Sequence, residues 1–243
     1  MGLINKYPAI LDYLESYKSQ LMPKPNYFKG NSNWCGRKSG SYEWYEIQDN
    51  IAYWQEFNKP KIVSTKVSIK PTFALDLSGS LLGNTAYFIT LKSNDFFLVA
   101  LLNSSVSAFY AKKVFVEKQN GWYGVQPDGL EVFPIPRTDV RQEKLINFSS
   151  NAFLAVGSSQ FEALINGLVY ELFFPEDLHQ ANIHLFDAVA NAGLDRLADL
   201  DGTVLADAAN ELATLIFAPH HPIQGMLADL QKLEVVRIIE GRD

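Results

Sequence analysis

The apolar residues in the first half of the chain alternate mostly with a period of two, which is typical of half-buried strands. β-Branched and aromatic residues lie in short runs, and glycines at 40, 79 and 83 separate several of them. The N-terminal residues 5–21 depart from this pattern, because Ile10, Leu11, Leu14 and Leu21 follow the spacing of an amphipathic helix. The predicted strands cover residues 44–47, 61–68, 73–77, 85–91 and 130–135.

One further helix is predicted inside this strand-rich half. Ser93 or Asn94 can cap its N-terminus, and Asp95 lies in the first turn, where a negative charge is favourable. The apolar residues that follow, Phe97 and Leu101 among them, predict burial against the sheet.

Beyond residue 136 the apolar spacing changes to the 3.6-residue period of helices. Thr138 is predicted to cap the first helix, Pro175 to start the third and Gly193 to end it in the left-handed conformation. The predicted helices cover residues 139–155, 159–173, 176–191, 203–217 and 222–238. Two apolar stripes predict core-facing sides, namely Leu178, Ile183, Phe186 and Val189, and Leu205, Ala208, Leu212, Leu215 and Ile216.

These patterns together predict an α+β fold. A mixed, mostly antiparallel sheet domain with flanking helices is expected over residues 1–137, followed by an all-helical region over residues 138–243.

Composition narrows the class of protein. The chain has 243 residues, of which 47% are hydrophobic and 20% charged, as in an ordinary globular protein. No apolar run approaches the roughly 18 residues that a membrane span needs, and the N-terminus lacks the apolar segment of a secretory signal. The single Cys35 excludes an internal disulfide, which favours a cytoplasmic location.

The formal net charge of −6 by itself disfavours a polyanionic partner. The charge is unevenly placed, however. Residues 1–140 contain 15 Lys and Arg against 12 Asp and Glu, whereas residues 141–243 contain 6 against 15. A nucleic acid is therefore expected to contact the first half, and the acidic helical region is expected to face water or protein.

The stretch from Lys24 to Lys70 is unusual because lysines and Arg37 alternate with tryptophans and tyrosines. Cations beside flat rings can hold phosphates, stack on bases and reach base edges. The same composition is also typical of a Trp/Tyr-rich core with a solvated rim. The order of the surrounding motifs favours the nucleic-acid interpretation.

Six short motifs occur in a fixed order along this half of the chain. They are Trp44-Tyr45-Glu46-Ile47-Gln48, Phe57-Asn58-Lys59-Pro60-Lys61-Ile62, Thr85-Ala86-Tyr87-Phe88-Ile89, Ala100-Leu101-Leu102-Asn103-Ser104, Phe109-Tyr110 and Leu130-Glu131-Val132-Phe133-Pro134-Ile135-Pro136. Over roughly residues 5–140 this order resembles the TaqI-like C-terminal specificity domain of DNA adenine methyltransferases and of fused type II restriction-modification enzymes.

The resemblance implies a target recognition domain that selects the double-stranded DNA sequence to be modified by a bacterial restriction-modification enzyme. It also implies a parent protein whose separate methyltransferase domain binds S-adenosylmethionine and flips the target adenine out of the duplex. The present chain would then be a DNA-binding module without a catalytic centre or a cofactor of its own.

Within this interpretation, Arg37 is predicted to bind guanine, because its fork fits O6 and N7, and Gln119 and Asn120 are predicted to bind adenine. Asn120-Gly121 is also a strong hairpin-turn pair, so structure alone would explain it. The phosphate candidates are Lys29, Lys38, Lys66, Lys70, Lys112, Lys113 and Lys118, and the aromatic candidates are Tyr42, Trp44 and Trp122.

Residues for catalysis or metal binding are scarce in the sequence. The chain lacks the glycine-rich loop and the Asn/Asp-Pro-Pro-aromatic motif of methyltransferases, and Pro127-Asp128 is not followed by the lysine of a nuclease metal site. His179 and His184 are five residues apart, one more than the helical spacing that lets two imidazoles share a metal. The four histidines are therefore predicted to be solvent-exposed loop residues, and no metal site is predicted.

Two other functional classes stay open. A protein-interaction or scaffold module of a phage-defence system is compatible with the acidic helical half and with the missing catalytic motifs. An enzyme that binds sugars among the Trp and Tyr rings would need carboxylates there, and Glu43, Glu46 and Glu56 are available.

Overall fold

The computed structural model describes residues 3–28, 33–49, 51–91 and 96–242. By its internal contacts the chain divides into two compact units, which we call the N-terminal unit (Met1–Glu56) and the main unit (Phe57–Asp243). The boundary that the change in apolar spacing predicts after residue 137 stays a prediction.

The N-terminal unit begins with the helix predicted over residues 5–21, which consists of α1 (Pro8–Glu15) and α2 (Lys18–Leu21). Pro8 occupies the first turn of α1, where its missing N–H costs nothing. None of the residues of this unit whose exposure is described (4–28, 33–49 and 51–56) is buried. Ile10 and Tyr13 on α1 are 52% and 65% exposed, so the unit has no hydrophobic core among these residues.

The strand predicted over residues 44–47 is wrong, because Trp44 and Tyr45 lie in a turn. The N–H of Glu46 donates to the carbonyl of Glu43 (3.0 Å), and the Glu46 carboxylate accepts the N–H of Glu43 (2.8 Å). This local side-chain contact satisfies backbone groups that a strand would pair with a neighbour.

The main unit contains two small antiparallel sheets. The strands are β1 (Lys61–Thr65), β2 (Val67–Ser68), β3 (Phe73–Asp76), β4 (Ala86–Thr90), β5 (Val116–Glu117) and β6 (Tyr123–Gly124). In the first sheet, the central strand β1 pairs with both neighbours in the order β3-β1-β4, and Ile62 on β1 is buried. In the second, the order is β2-β6-β5. The predicted strands 73–77 and 85–91 are thereby confirmed, whereas the predicted strand 61–68 is divided between β1 and β2, which belong to different sheets.

Two helices follow the first sheet, α3 (Phe97–Asn103) and α4 (Ser105–Val114). Ser104 lies between them and caps α4, since its Oγ accepts the N–H of Ser107 at 3.1 Å. The predicted caps of α3, Ser93 or Asn94, and the predicted first-turn residue Asp95 lie outside the described residues.

Asn103 joins helix α3 to the edge strand β3. Its side-chain oxygen accepts the N–H of Phe73 (3.0 Å), and its Nδ2 donates to the carbonyl of the same residue (2.8 Å). The amide therefore satisfies both backbone groups of Phe73, as a neighbouring strand would.

The strand predicted over residues 130–135 is also wrong, because α5 (Pro127–Glu131) and a segment without regular structure take its place. Pro127 starts the helix at its first position. A Cβ on Gly129 would lie 2.5 Å from the ring of Phe115, so only glycine lets α5 pack this closely. Leu130 and Phe133 each pack their side chain against the smaller hydrophobic cluster, and neither residue belongs to a strand.

The C-terminal region is helical, as predicted. Asp139 caps α6 in place of Thr138 and forms a capping box with Gln142, whereas Pro175 and Gly193 occupy their predicted positions. The predicted helices 176–191 and 222–238 are each broken in two. The helices are α6 (Val140–Val156), α7 (Ser159–Phe173), α8 (Pro175–Gln180), α9 (Leu185–Asn191), α10 (Gly202–Ile216), α11 (Pro222–Leu230) and α12 (Glu234–Glu240).

The main unit has two hydrophobic clusters. The larger one joins α3 and α4 to the C-terminal helices and includes both predicted apolar stripes, except for Leu215, which is 53% exposed. The smaller one lies between the sheets and α3 to α5 and is built on Ile62, Phe73, Leu102, Ala111, Phe115 and Val125. In the described part of the chain, no helix combines the length and the apolar character that crossing a membrane requires.

Candidate nucleic-acid interface

The strands β5 and β6 form a hairpin that the sequence did not mark as two strands. Val116 pairs with Gly124 and Glu117 pairs with Tyr123, which leaves residues 118–122 as the connection. Asn120 (φ 59°, ψ 34°) and Gly121 (φ 73°) adopt the left-handed conformation at the two centre positions of the turn. Asn-Gly pairs favour hairpin turns because both residues adopt positive φ readily, and β5 and β6 flank this turn, so the hairpin interpretation of Asn120-Gly121 is confirmed.

The base of the hairpin is anchored in the smaller core. Phe115 precedes β5 and Val125 follows β6, and both side chains are buried. The N–H of Val125 donates to the carbonyl of Lys66 at 3.0 Å, which holds the hairpin next to β2. The position of the hairpin is thereby fixed while its tip faces solvent.

The exposed side chains of the hairpin and its flanks form what we call the hairpin surface. Lys112 and Lys113 come from the last turn of α4, where the helix dipole favours positive charge. Trp122 is 41% exposed, and Lys66 is half-buried beside β2. The hairpin surface consists of Lys66, Lys112, Lys113, Lys118, Gln119, Asn120 and Trp122.

The lysines of the hairpin surface keep their charge available. Within residues 3–28, 33–49, 51–91 and 96–242, none of them forms an ion pair. The ammonium of Lys66 lies 4.7 Å from the ring centre of Tyr87, and that of Lys113 lies 5.4 Å from the ring centre of Phe109. Such ring contacts orient a lysine without neutralising it.

Gly124 contributes to the placement of Lys118. A Cβ at position 124 would lie 3.0 Å from Cε of Lys118, so the lysine stem occupies space that a side chain would take. The stem is thereby packed along the hairpin while its head stays exposed.

Of the other predicted phosphate candidates, Lys38 belongs to the N-terminal unit and Lys70 to the main unit. Lys70 is exposed and borders a mainly apolar cavity of about 450 Å³ between β3, α3, α6 and α7. Lys29 lies outside the described residues.

Arg37 in the N-terminal unit is engaged with backbone carbonyls. Its Nε donates to the carbonyl of Leu21 (2.7 Å), and its terminal nitrogens donate to Glu46 (2.7 Å), Trp44 (2.8 Å) and Glu43 (3.3 Å). The guanidinium also lies 4.6 Å from the ring centre of Tyr42. These contacts join α2 to the turn at 43–46, so Arg37 has a structural task, and its predicted role in guanine binding stays a prediction.

The neighbours of Arg37 are also engaged within the unit. The ammonium of Lys38 lies 2.9 Å from Asp49 and holds the pKa of that carboxyl below its usual range, through a hydrogen bond first and charge attraction second. The hydroxyl of Tyr42 donates to the carbonyl of Lys38. The ammonium of Lys18 lies 4.7 Å from the ring centre of the half-buried Trp44.

Lys61 shows most clearly that a cation in this stretch of sequence can be internal. Its side chain is 0% exposed, and its ammonium donates to Asp76 (2.7 Å) and to the carbonyl of Phe57 (2.7 Å). Hydrogen bonds from Lys61 and Ser78 hold the pKa of Asp76 well below its usual range. No pattern in the sequence separates Lys61 from its exposed neighbours, because its partner Asp76 comes from another strand.

The carboxylates that a sugar-binding enzyme would use all belong to the N-terminal unit. Glu46 is hydrogen-bonded to the backbone of Glu43 in the turn, and both side chains are exposed. Glu56 is half-buried at the end of the unit. The sugar-binding interpretation stays a prediction.

The histidines differ from the sequence-based expectation. His179 lies in the last turn of α8 and His184 directly precedes α9, and the turn between the two helices stacks their rings with the centres 4.5 Å apart. Glu171 from α7 lies beside them, with its Oε1 3.0 Å from Nε2 of His179. His179 is exposed as predicted, but it lies in a helix and not in a loop, and His184 is half-buried. A spacing of five brings the two side chains together because a turn intervenes.

A comparison with known protein families agrees with the motif order. A family model described as the TaqI-like C-terminal specificity domain matches residues 12–135, which is just over half of the 243-residue chain. The matched segment includes the first sheet, the smaller core and the whole hairpin, and it ends before α6. The described function of the family is specificity and not catalysis. The chain therefore belongs to the family of TaqI-like C-terminal specificity domains.

Proposed function

We propose that this protein binds double-stranded DNA through the hairpin surface, as the target recognition domain of a bacterial restriction-modification system. The observation that carries this proposal is the set of exposed or half-buried lysines around an anchored hairpin tip, none of which forms an ion pair in the part of the chain that the structure describes. Lysines in this state can replace the counterions of DNA phosphates without first breaking an ion pair.

The hairpin surface combines the chemical groups that two kinds of DNA contact require. Lys66, Lys112, Lys113 and Lys118 would hold phosphates and set the position of the domain on the duplex. Gln119 and Asn120 carry amides that can pair with N6 and N7 of adenine in the major groove. A two-stranded ribbon is narrow enough to enter that groove, and Trp122 next to the turn offers a flat ring for stacking.

The family supports a wider context, which is also part of the proposal. The parent protein would be an adenine-specific DNA methyltransferase with S-adenosylmethionine in a separate domain, in the cytoplasm. The present chain would supply site selection, and the methyltransferase domain would supply the chemistry. Alone, the chain should bind mixed-sequence DNA weakly, in the micromolar range or above at physiological salt.

Fluorescence anisotropy of a mixed-sequence duplex tests DNA binding. The full chain is titrated at salt concentrations from about 20 to 200 mM, and binding should weaken steeply with salt. The double variant Lys112→Ala/Lys118→Ala should reduce the slope of log affinity against log salt by about 2, because two phosphate contacts are lost.

The matched control removes two lysines from the acidic half. Lys144 and Lys232 are both exposed, so Lys144→Ala/Lys232→Ala removes the same charge without touching the hairpin surface. This control should keep the wild-type slope. Equal slopes for both double variants would refute the hairpin surface as the contact, and a wild type that binds no duplex at low salt would refute DNA binding.

A protein-interaction module of a phage-defence system is the second candidate. It is favoured by the acidic composition of residues 141–243 and by the exposed apolar residues of α1. This function predicts that both lysine double variants keep their protein partner and that no salt-dependent DNA binding exists.

A further inference from the structure

We propose that Glu171, His179 and His184 form a binding site for a divalent transition-metal ion, with Zn²⁺ as the best-fitting ion. One ligand atom from each of the three side chains lies within 4.8 Å of the other two. The site lies in the helical region, outside the part of the chain that matches the specificity family, and it is independent of the hairpin surface.

Glu171 is the buried member of the cluster. Glu171 lies near the end of α7 and is only 7% exposed. Its Oε2 accepts the N–H of Phe186 at 3.0 Å. This hydrogen bond fixes the carboxylate and leaves Oε1 directed at His179, 3.0 Å away. A buried carboxylate is costly unless cations or hydrogen bonds surround it, so its placement beside two imidazoles calls for an explanation.

The turn between α8 and α9 places the two histidines. Asn182 adopts the left-handed conformation (φ 57°), and the N–H groups of Asn182 and Ile183 donate to the last turn of α8. The side chain of Ile183 is buried and holds the turn against the larger core. The result is a stack of the two rings at 4.5 Å and 24°, above the Glu171 carboxylate.

The chemistry of these donors selects the class of ion. Two imidazoles and one carboxylate are a ligand set that Zn²⁺ binds in tetrahedral sites with one position left for water. Mg²⁺ and Ca²⁺ prefer more oxygen ligands than a single carboxylate supplies. Ligand atoms about 2.1 Å from a tetrahedral ion are about 3.4 Å apart. The three ligand atoms here all lie within 4.8 Å of one another, and Oε1 of Glu171 is 3.0 Å from Nε2 of His179, so they are close enough to share one ion.

The site is open on one side. The side chain of His179 is 45% exposed, and His184 borders a cavity of about 310 Å³ that His221 and Met226 also line. An ion can therefore enter from solvent, and a water molecule can complete its coordination. Once bound, it would tie α7, α8 and α9 together in addition to their apolar contacts.

To test the proposal, the full chain is first stripped of metal with a chelator and then titrated with ZnCl₂, and calorimetry measures the binding. The wild type should bind one Zn²⁺ per chain, and saturation at about 100 times the dissociation constant should raise the melting temperature by about 5 °C or more. The same concentration of MgCl₂ should leave the melting temperature unchanged. Co²⁺ should give the visible absorption of a four-coordinate ion, which a hydrogen-bonded Glu–His pair without metal cannot produce.

Two variants locate the ion. His184→Ala should fold, because the half-buried ring makes no hydrogen bond that the structure describes, and it should weaken Zn²⁺ binding at least tenfold. Glu171→Gln keeps an oxygen for the N–H of Phe186 and should weaken binding similarly. The control His220→Ala removes an exposed histidine and should bind Zn²⁺ as the wild type does.

Three results would overturn the proposal. The first is a wild type that binds no Zn²⁺ in the calorimeter. The second is His184→Ala with wild-type affinity, and the third is His220→Ala with the same loss as His184→Ala. Either of the last two results would mean that the ion binds to other surface groups.

Discussion

The N-terminal unit and the hairpin surface carry similar residues, but the residues have different tasks. In the N-terminal unit the guanidinium of Arg37 holds the backbone together, and Lys38 is paired with Asp49. At the hairpin the lysines form no ion pair among the described residues. This difference shows that a high local density of cations and aromatic rings in the sequence does not predict which of the cations are available to DNA.

The physical reason lies in burial. Among the residues of the N-terminal unit whose exposure is described, none is buried, so the unit relies on polar and cation–ring contacts for its shape. The hairpin is anchored by Phe115 and Val125 in a hydrophobic core. Because apolar burial holds the hairpin in place, its cations are not needed for structure.

The largest expected effect concerns Lys61, the internal cation of the basic stretch. Asp76→Asn leaves the ammonium of Lys61 buried without its counterion, which should reduce the free energy of unfolding by about 3–5 kcal/mol. Urea unfolding followed by circular dichroism measures the change. The control is Asp49→Asn, which removes the counterion of the exposed Lys38 and should leave the unfolding midpoint unchanged.

The same pair predicts a pH dependence. The pKa of Asp76 is lowered in the folded protein, while an unfolded carboxyl has its ordinary value of about 4. The stabilisation is therefore complete above about pH 4 and is lost progressively as the pH falls below that value. Asp76→Asn should lack this component of the acid-induced loss. Equal pH profiles for the two proteins would contradict a stabilising pair.

A smaller effect is expected at Arg37. Arg37→Ala removes four hydrogen bonds from a charged group to the backbone and should loosen the N-terminal unit by about 1.5–3 kcal/mol. Hydrogen exchange of residues 1–56, followed by mass spectrometry, should accelerate about tenfold or more. The control Lys38→Ala should exchange as the wild type does, because an exposed ion pair contributes little.

Arg37→Ala also separates the structural task from the predicted contact with guanine. If Arg37 also reads a base, exchange rises and affinity falls specifically for duplexes with guanine at the contacted position. If it is structural alone, exchange rises and the effect on DNA does not depend on sequence.

The smallest expected effect concerns Asn120 at the hairpin tip. Asn120→Gly keeps a residue that adopts φ 59° without strain, so the melting temperature should stay close to that of the wild type. The loss of the amide should reduce affinity for duplexes containing the recognised adenine by about 1 kcal/mol or more, roughly fivefold. Anisotropy with duplexes of different sequence measures this change.

If Asn120→Gly binds every duplex as the wild type does, Asn120 has a role in the turn alone and does not contact DNA. Asn120→Ala is the companion control, because it also removes the amide but places a Cβ in the left-handed conformation. A larger loss of stability in Asn120→Ala than in Asn120→Gly would confirm that the backbone conformation is required at this position.

Several elements were predictable because their signals are local. The strands β1, β3 and β4 carry β-branched and aromatic residues between glycines, and α7 has the bounds that its apolar spacing predicts. The Asn120-Gly121 turn follows from the ease with which these two residues adopt positive φ. The family was also recognisable, since the order of its motifs is a property of the sequence alone.

Other elements were missed because a distant contact decides them. The segment 130–135 has the composition of a strand, but Gly129 lets α5 approach Phe115, and the apolar residues pack without a partner strand. The predicted helix 176–191 is broken at Asn182, because the buried Ile183 holds the turn. Sequence spacing could not reveal that Glu171 would meet two histidines from the next two helices.

The sequence by itself determined the α+β class, the acidic helical region, the family and the place of the hairpin turn, because each depends on neighbouring residues or on composition. Only the tertiary structure decided which cations hold the fold together, as at Arg37 and Lys61, and which are exposed without an ion pair to any described residue, as at Lys112 and Lys118. The physical reason is that the charge of a side chain is a property of the residue, whereas its availability depends on partners brought near by folding.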